Sequence, residues 1–396
     1  MKTLEVITLN PGDAFSKPVY IDPSNILVEE NVPVSQSDID RLKKWNIKKV
    51  QTSGTLVASV NEKEEYESQA EENDIKEIRK KLRDSILRKS EIKFLMIEGE
   101  KLIKDCYLNI SENKPFQIST IRTYAEKICV VLDEAPYAFL YAYSSFNLAS
   151  IEGHSVSSAI YGALIAKATG YSKPKQIELV FSILLMDIGM VRVPVMIRQK
   201  AEKLTDQEAS QVQAHTVLGY QLLTRVAKVK NSIALVALQH HENFDGSGYP
   251  RKIKGSEMSQ NAKIATVADA FAALLEIKTY RDSKLPYVAM KELLTLGIYR
   301  YDPNLLKALL NTLSIYPVSS IVKMSDDSIA MVAGSSVGKP MRPLVLMLRE
   351  ADGTTPEEPK FTHLLYKTDK FIATALNPKE EGIQLEAELD KLIKII

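Results

Sequence analysis

Cysteine is nearly absent from this chain: Cys106 and Cys129 are the only two in 396 residues. So sparse a pair gives neither a disulfide framework nor a thiolate metal site, and it is consistent with a reducing compartment. Excess charge is absent as well. The formal net charge is +1, so the bulk electrostatics ask for neither DNA nor a membrane surface. No apolar run reaches membrane-spanning length, because LVFSILLMDIGMVRVPVMI is interrupted by Asp187 and Arg192. The opening MKTLEVITLNPGD has no long apolar core after its lysine, so it does not read as a signal peptide and the cytoplasm is the expected location.

What is present is ordinary globular material, with 45% hydrophobic and 26% charged residues. The length asks for two or three domains. Within residues 1–60, LEVITL and PVYI are strand candidates separated by the turn signal Asn10-Pro11-Gly12-Asp13. SQSDIDRLKKWNI predicts a short helix capped by Ser35 or Ser37, with Ile39, Leu42 and Trp45 on one face, and KKVQTS a returning strand. The acidic, apolar-poor run at 61–74 reads as a charged linker.

From Ile75 onward the spacing turns helical, Ile75, Ile78, Leu82 and Ile86 forming one stripe. Helices are predicted at about 117–132, 136–149, 152–169, 175–188, 205–229, 231–240, 259–276 and 286–296. After Tyr316-Pro317 the pieces SSIVKMSD, SIAMVAG, RPLVLMLRE and KFIATAL read as strands. The predicted organisation is an N-terminal accessory unit (1–60), the linker (61–74), a helical connecting region (75–135), a helical domain (136–312) and a β-rich C-terminal extension (313–396).

The candidate chemistry rests on a scarce residue. The five histidines are His154, His215, His240, His241 and His363. Four fall in the helical domain, and His240-His241 opens the polar turn HHENFDGSGYP. Imidazole and carboxylate together suit Mn, Fe or Zn. The residues alone leave two readings open, a multi-helix metal site or separately satisfied core histidines.

HHENFDGSGYP, followed by KIATVADAFAAL and KTYR, resembles the HD-GYP branch of the HD phosphohydrolase superfamily. The resemblance runs back through H-TVLGYQLL, KLTDQE, LLMDIGMVRVP and HSVSSAIYGALIAKATG, over about residues 136–312. It implies a mainly α fold: an HD-type helical bundle with a small N-terminal α/β or β-rich unit and a small β-rich C-terminal extension. It further implies two or three metal ions, commonly iron or manganese, and hydrolysis of cyclic di-GMP to the linear dinucleotide or to GMP. Metals and basic side chains would hold the phosphate oxygens.

Carried over by position, the resemblance implies metal ligands at His154, Asp187, His215, His240, His241 and Asp269, with Asp187 bridging and acting in catalysis. Lys278 and Arg281 match basic positions that face substrate phosphates. Gly246, Gly248, Tyr249 and Pro250 match the loop after the histidine pair, a loop that in the family also contacts partners such as diguanylate cyclases. Three positions depart from the pattern. Met186 stands where the motif has histidine, Met190 where it has a phosphate-contacting lysine, and Ala272 where that lysine has an acidic neighbour. Ser150 stands where some members add a glutamate for a third ion.

A neutral thioether is a poor ligand for hard ions. The Asp187–His215–His240–His241 pocket is therefore expected to hold one ion well, while His154, Asp187 and Asp269 form a damaged second pocket. The expectation is a degenerate member, weakly active or non-catalytic, binding cyclic di-GMP, a related dinucleotide or a signalling protein. The alternative is an active metal-dependent cyclic di-GMP phosphodiesterase. His363 lies outside the resemblance and is expected at the surface.

Overall fold

The computed structural model describes the chain except at residues 1, 23–24, 59, 113, 115, 136, 138–149, 201, 277–283, 337, 386 and 389–396. The helix predicted at 136–149 and most of the C-terminal tail fall outside the described residues. Two compact units emerge, Met1–Lys76 and Glu77–Ile396.

In the first unit, β1 (Lys2–Glu5), β3 (Val19–Asp22), β4 (Asn25–Val28) and β5 (Lys49–Thr52) form an antiparallel sheet in the order β1-β5-β3-β4. β2 (Ala14–Phe15) and β6 (Leu56–Ala58) pair separately. Helix Gln36–Lys44 begins at a reciprocal cap between Ser35 and Asp38, which satisfies donors that the first turn leaves open. Its Ile39 and Leu42 join Val19, Val34 and Val50 in a small core. Trp45, expected on that face, is 56% exposed. The helix stops at Lys44, so Trp45 leaves the helical path, and the Arg41 guanidinium covers its ring. The charged run 61–74 belongs to a long helix, Val60–Leu87; its Glu, Lys, Gln and Ala are good helix formers despite the missing apolar face.

The second unit is a helical bundle with a sheet after it. Helices Lys89–Ser111, Ile118–Glu134, Ile151–Ala168, Lys173–Leu184, Asn231–Gln239, Gln260–Leu275 and Pro303–Leu313 contribute to one continuous apolar core. Helix Ile151–Ala168 is buried along most of its length and lies at the centre. Two predicted helices are shorter than expected. The one at 175–188 ends at Leu184 and is followed by a 3-10 turn, Ile188–Arg192, ahead of Pro194. The one at 205–229 divides into Asp206–Gln213, His215–Gln221 and a π-turn at Leu222–Val226. The division falls beside His215, whose carbonyl oxygen abuts the backbone of Gly189. Both interruptions thus sit where the two segments pack backbone to backbone.

After the bundle, β7 (Ile321–Met324), β8 (Ile329–Gly334), β9 (Leu344–Arg349), β10 (Phe361–His363) and β11 (Ile372–Leu376) form an antiparallel sheet ordered β10-β9-β8-β7-β11. The strand carrying His363 went unread in the sequence, being only three residues long. His363 is not a surface residue: it is 1% exposed, accepts the Leu365 N–H at Nδ1 and meets Tyr366 edge to face. Among the described residues no helix is long and apolar enough to cross a membrane.

Candidate metal centre

Five segments deliver the site. His154 lies in the first turn of helix Ile151–Ala168, whose N-cap Ser150 accepts from Gly153 N–H and donates to Glu100. Asp187 opens the 3-10 turn after helix Lys173–Leu184. His215 starts its own short helix, and His240 and His241 follow the end of helix Asn231–Gln239. Asp269 projects from the middle of helix Gln260–Leu275.

Gly189 is what lets Asp187 approach His215. A Cβ on Gly189 would lie 1.9 Å from the His215 carbonyl oxygen and 2.6 Å from Gly219 N, distances no side chain tolerates. The loop after the histidine pair is closed in the same way. A Cβ on Gly248 would meet Asn243 N and His241 O at 2.4 Å. Tyr249 N–H donates to that same His241 carbonyl, and the Tyr249–Pro250 peptide is cis. Buried Glu242 accepts from the Arg251 and Ile253 N–H groups and ties the loop back to the histidines. The Tyr249 ring lies over His241, with centroids 4.8 Å apart and 31° between planes.

The four residues Asp187, His215, His240 and His241 offer ligand atoms all within 4.8 Å of one another. His215 Nε2 lies 3.4 Å and His240 Nε2 3.6 Å from Asp187 Oδ1. Their other nitrogens face carbonyls: His215 Nδ1 is 2.6 Å from Val212 O, and His240 Nδ1 is 3.0 Å from Ala237 O. A carbonyl only accepts, so each Nδ1 carries a proton and each Nε2 is turned toward the cluster. The two Nε2 atoms face one another at 3.3 Å beside Asp187. With both rings neutral, two lone pairs meet there and a cation answers them; without metal, a proton on His240 Nε2 does the same. A divalent ion with nitrogen ligands at about 2.1 Å holds neighbouring donors about 3.0–3.4 Å apart, so the cluster fits one.

The second set is His154, Asp187 and Asp269. His154 Nε2 lies 2.7 Å from Asp269 Oδ1 and 4.0 Å from Asp187 Oδ2. Its Nδ1 lies 2.5 Å from Glu276 Oε1. Asp187 therefore belongs to both sets. His241 Nδ1 is 3.9 Å from Asp269 Oδ2, which also joins the two sets from the other side.

Protonation follows from these contacts. Burial opposes charge on Asp187, yet a hydrogen bond from His240 and the surrounding imidazoles hold its carboxyl far below the usual range. Asp269 is lowered likewise, against its burial, by the bond to His154. Burial pushes His215 down, and burial with the neighbouring His240 brings His241 to about 3. His154 and His240 move up despite burial, because carboxylates bond them directly.

The sequence-derived site residues divide as follows. The structure brings His154, Asp187, His215, His240, His241 and Asp269 into one cluster, with Tyr249 stacked at its edge. Lys278 and Arg281 lie outside the described residues. Met186 is fully buried in the main core and Ala272 is buried with it, while Met190 is half-buried. The sequence reading missed Glu276 and Glu242. Glu276 carried a weak signal: it lies seven residues after Asp269, a spacing that keeps one face of a helix, although the helix itself ends at Leu275.

A domain family described as "HD domain" matches residues 146–305, and a "KOW domain associated with HD domain" matches residues 321–383. This chain carries an HD-type phosphohydrolase domain. Its fold is a mainly α HD bundle with a small N-terminal β region and a β-rich, KOW-like extension. Among relatives, cyclic di-GMP phosphodiesterase PdeB of Borreliella burgdorferi is 25% identical over 95% of this chain and 96% of its own length. The 3'3'-cGAMP-specific phosphodiesterase 3 of Vibrio cholerae is 37% identical over 42% of this chain and 36% of the relative. The chain thus spans nearly all of the first relative and about a third of the second. A solved HDG"Y"P protein, Bd1817 from Bdellovibrio bacteriovorus, superposes with a TM-score of 0.48 at 14% identity, covering 78% of this chain and 97% of that one. The HD domain described here is related to cyclic-dinucleotide signalling phosphodiesterases and holds a buried His/Asp cluster capable of coordinating a divalent metal.

Proposed function

We propose that this chain is a metal-dependent phosphodiesterase that hydrolyses a cyclic dinucleotide, with cyclic di-GMP as the first substrate to test. The observation that carries the reading is the convergence of His215 Nε2 and His240 Nε2 on Asp187. That arrangement suits a cation, and the second ligand set shares the same carboxylate. Mixed nitrogen and oxygen donors without thiolate suit iron or manganese. A divalent ion held there supplies Lewis acidity toward a phosphodiester and acidifies water.

The chain's own residues do the rest. The Val212 and Ala237 carbonyls fix the tautomers of His215 and His240. Asp187 stays ionised, as a shared ligand must. Tyr249 and the Gly248 turn border the cluster on the side of His241. Lys278 and Arg281 are proposed to hold substrate phosphates, by their place in the K-x-x-R stretch that follows the Asp269 helix.

A binding module without turnover is the competing reading, and the joint loss of charge at Met190 and Ala272 is what favours it. The two ligand sets that meet at Asp187 weigh more in favour of hydrolysis. The test is turnover of cyclic di-GMP by purified protein with added Mn²⁺ or Fe²⁺, followed by product analysis. Formation of pGpG or GMP that vanishes in Asp187→Ala is the expected result. A metal-loaded wild type that binds the dinucleotide and leaves it intact would establish the binding module instead.

A further inference from the structure

Glu276 is a buried acid outside both ligand sets whose carboxylate bonds one of the ligand imidazoles. It is 3% exposed and follows the last turn of helix Gln260–Leu275, where the backbone has already turned extended. Its carboxylate faces His154 Nδ1 at 2.5 Å, while Asp269, from the same helix, faces Nε2 at 2.7 Å. The imidazole of His154 is thus gripped at both nitrogens, by one acid on the helix and another just past its end. Ser158, one turn further along the His154 helix, lies 3.5 Å from Nε2.

The two grips are not equivalent. Asp269 and Asp187 are shared with the rest of the cluster, whereas Glu276 lies behind the ring, on the side away from it. A carboxylate only accepts, so without metal both nitrogens face acceptors and the ring takes a proton at each. An ion among His154, Asp187 and Asp269 would displace the Nε2 proton and leave the Nδ1 proton with Glu276. A carboxylate behind a metal-binding imidazole fixes its tautomer and orientation and raises its donor strength. The His154 pocket is where such help matters, because Met186 contributes no imidazole to it. The other pocket achieves the same fixing with backbone carbonyls, at His215 and His240.

We propose that Glu276 is a positioning residue for a second divalent ion: it holds His154 Nδ1–H so that Nε2 is presented, and thereby sustains binding at His154, Asp187 and Asp269. The inference rests on the metal-centre reading above and does not require that the centre turns over substrate. It assigns Glu276 no contact with substrate or with the reacting atoms.

The test is Mn²⁺ titration of full-length apoprotein by calorimetry, with bound ion counted independently by electron paramagnetic resonance. Wild type should take up two ions of unequal affinity. Glu276→Ala should weaken the second by about 10- to 100-fold and leave the first within about two-fold. Glu276→Gln is nearly isosteric, keeps a carbonyl acceptor for Nδ1–H and loses the charge, so it should fall between the two. His215→Ala should show the reverse pattern, losing the first ion. Circular dichroism melts of the apoproteins separate these losses from unfolding, and should Glu276→Ala fail to fold, the Gln variant decides. A single ion in wild type, or a second-site affinity unchanged in Glu276→Gln and Glu276→Ala, would overturn the inference. Cyclic di-GMP turnover is measured separately. Two ions with the expected Glu276 dependence but no turnover would sink the phosphodiesterase reading and leave this one standing.

Discussion

The two ligand sets share Asp187 yet solve the problem of holding a cation differently. One gathers three imidazoles around the carboxylate, and the other places a single imidazole among carboxylates. Emptied of metal, the carboxylate-rich set can satisfy itself with a proton on His154 between Asp269 and Glu276. The imidazole-rich set closes instead on one proton at His240, which Asp187 sustains against full burial. Unequal affinities are the expected outcome of this difference in how each set closes on itself, since Met186 adds no imidazole to the carboxylate-rich set.

Breaking the shared residue removes the comparison altogether. Asp187→Ala takes a carboxylate from both sets, so metal uptake should fall at both sites and turnover by on the order of 10³-fold, about 4 kcal/mol. Metal content and steady-state rate check this together. Next in size is Gly189→Ala, which forces a methyl against the His215 carbonyl. It should cost about 3 kcal/mol of stability, read as a shift in denaturation midpoint, and should weaken the imidazole-rich site before the other.

Sharpening the comparison calls for an added imidazole in the carboxylate-rich set. Met186→His, in a fully buried position, should strengthen the second ion by about 10-fold and narrow the gap between sites, as seen in the same titration. A poorly accommodated ring would show instead as a lower melting temperature without gain in affinity.

The smallest effect concerns protons. His154 and His240 are shifted up and hold protons to higher pH, whereas His215 and His241 are shifted down and are already neutral near pH 7. Metal must displace the former, so uptake should release protons and affinity should fall as pH drops, by up to about a decade per unit for each proton displaced. Calorimetry in buffers of different ionisation enthalpy reads the number. Release from each site in turn, separated with His215→Ala, tells which set retains its proton longer.

Much of this was legible in the sequence. The resemblance carried by HHENFDGSGYP and LLMDIGM implies one cluster of four histidines and two aspartates spread over more than a hundred residues, whereas the residues alone leave separately satisfied histidines equally open. The bundle followed from apolar spacing, and the strands after Pro317 from alternation between turn residues. Local pattern failed where tertiary packing decides. The breaks at Leu184 and beside His215 come from one backbone pressing on another, which no periodicity reports. Trp45 looked like core because the helix was read as extending past Lys44. His363 was misplaced because its strand is too short to alternate. Glu276 was passed over because its partner is distant in sequence, although its spacing from Asp269 was visible.

The contact between Gly189 and the His215 carbonyl has a consequence for how this centre can change over time. The span from Asp187 to His215 is measured by main chain against main chain, like a ruler that side chains do not touch. Neighbours such as Met186 and Met190 can therefore drift in identity while the gap between the two donor atoms stays constant. Chemistry around the shared carboxylate is open to variation, and the dimension of the cage is not.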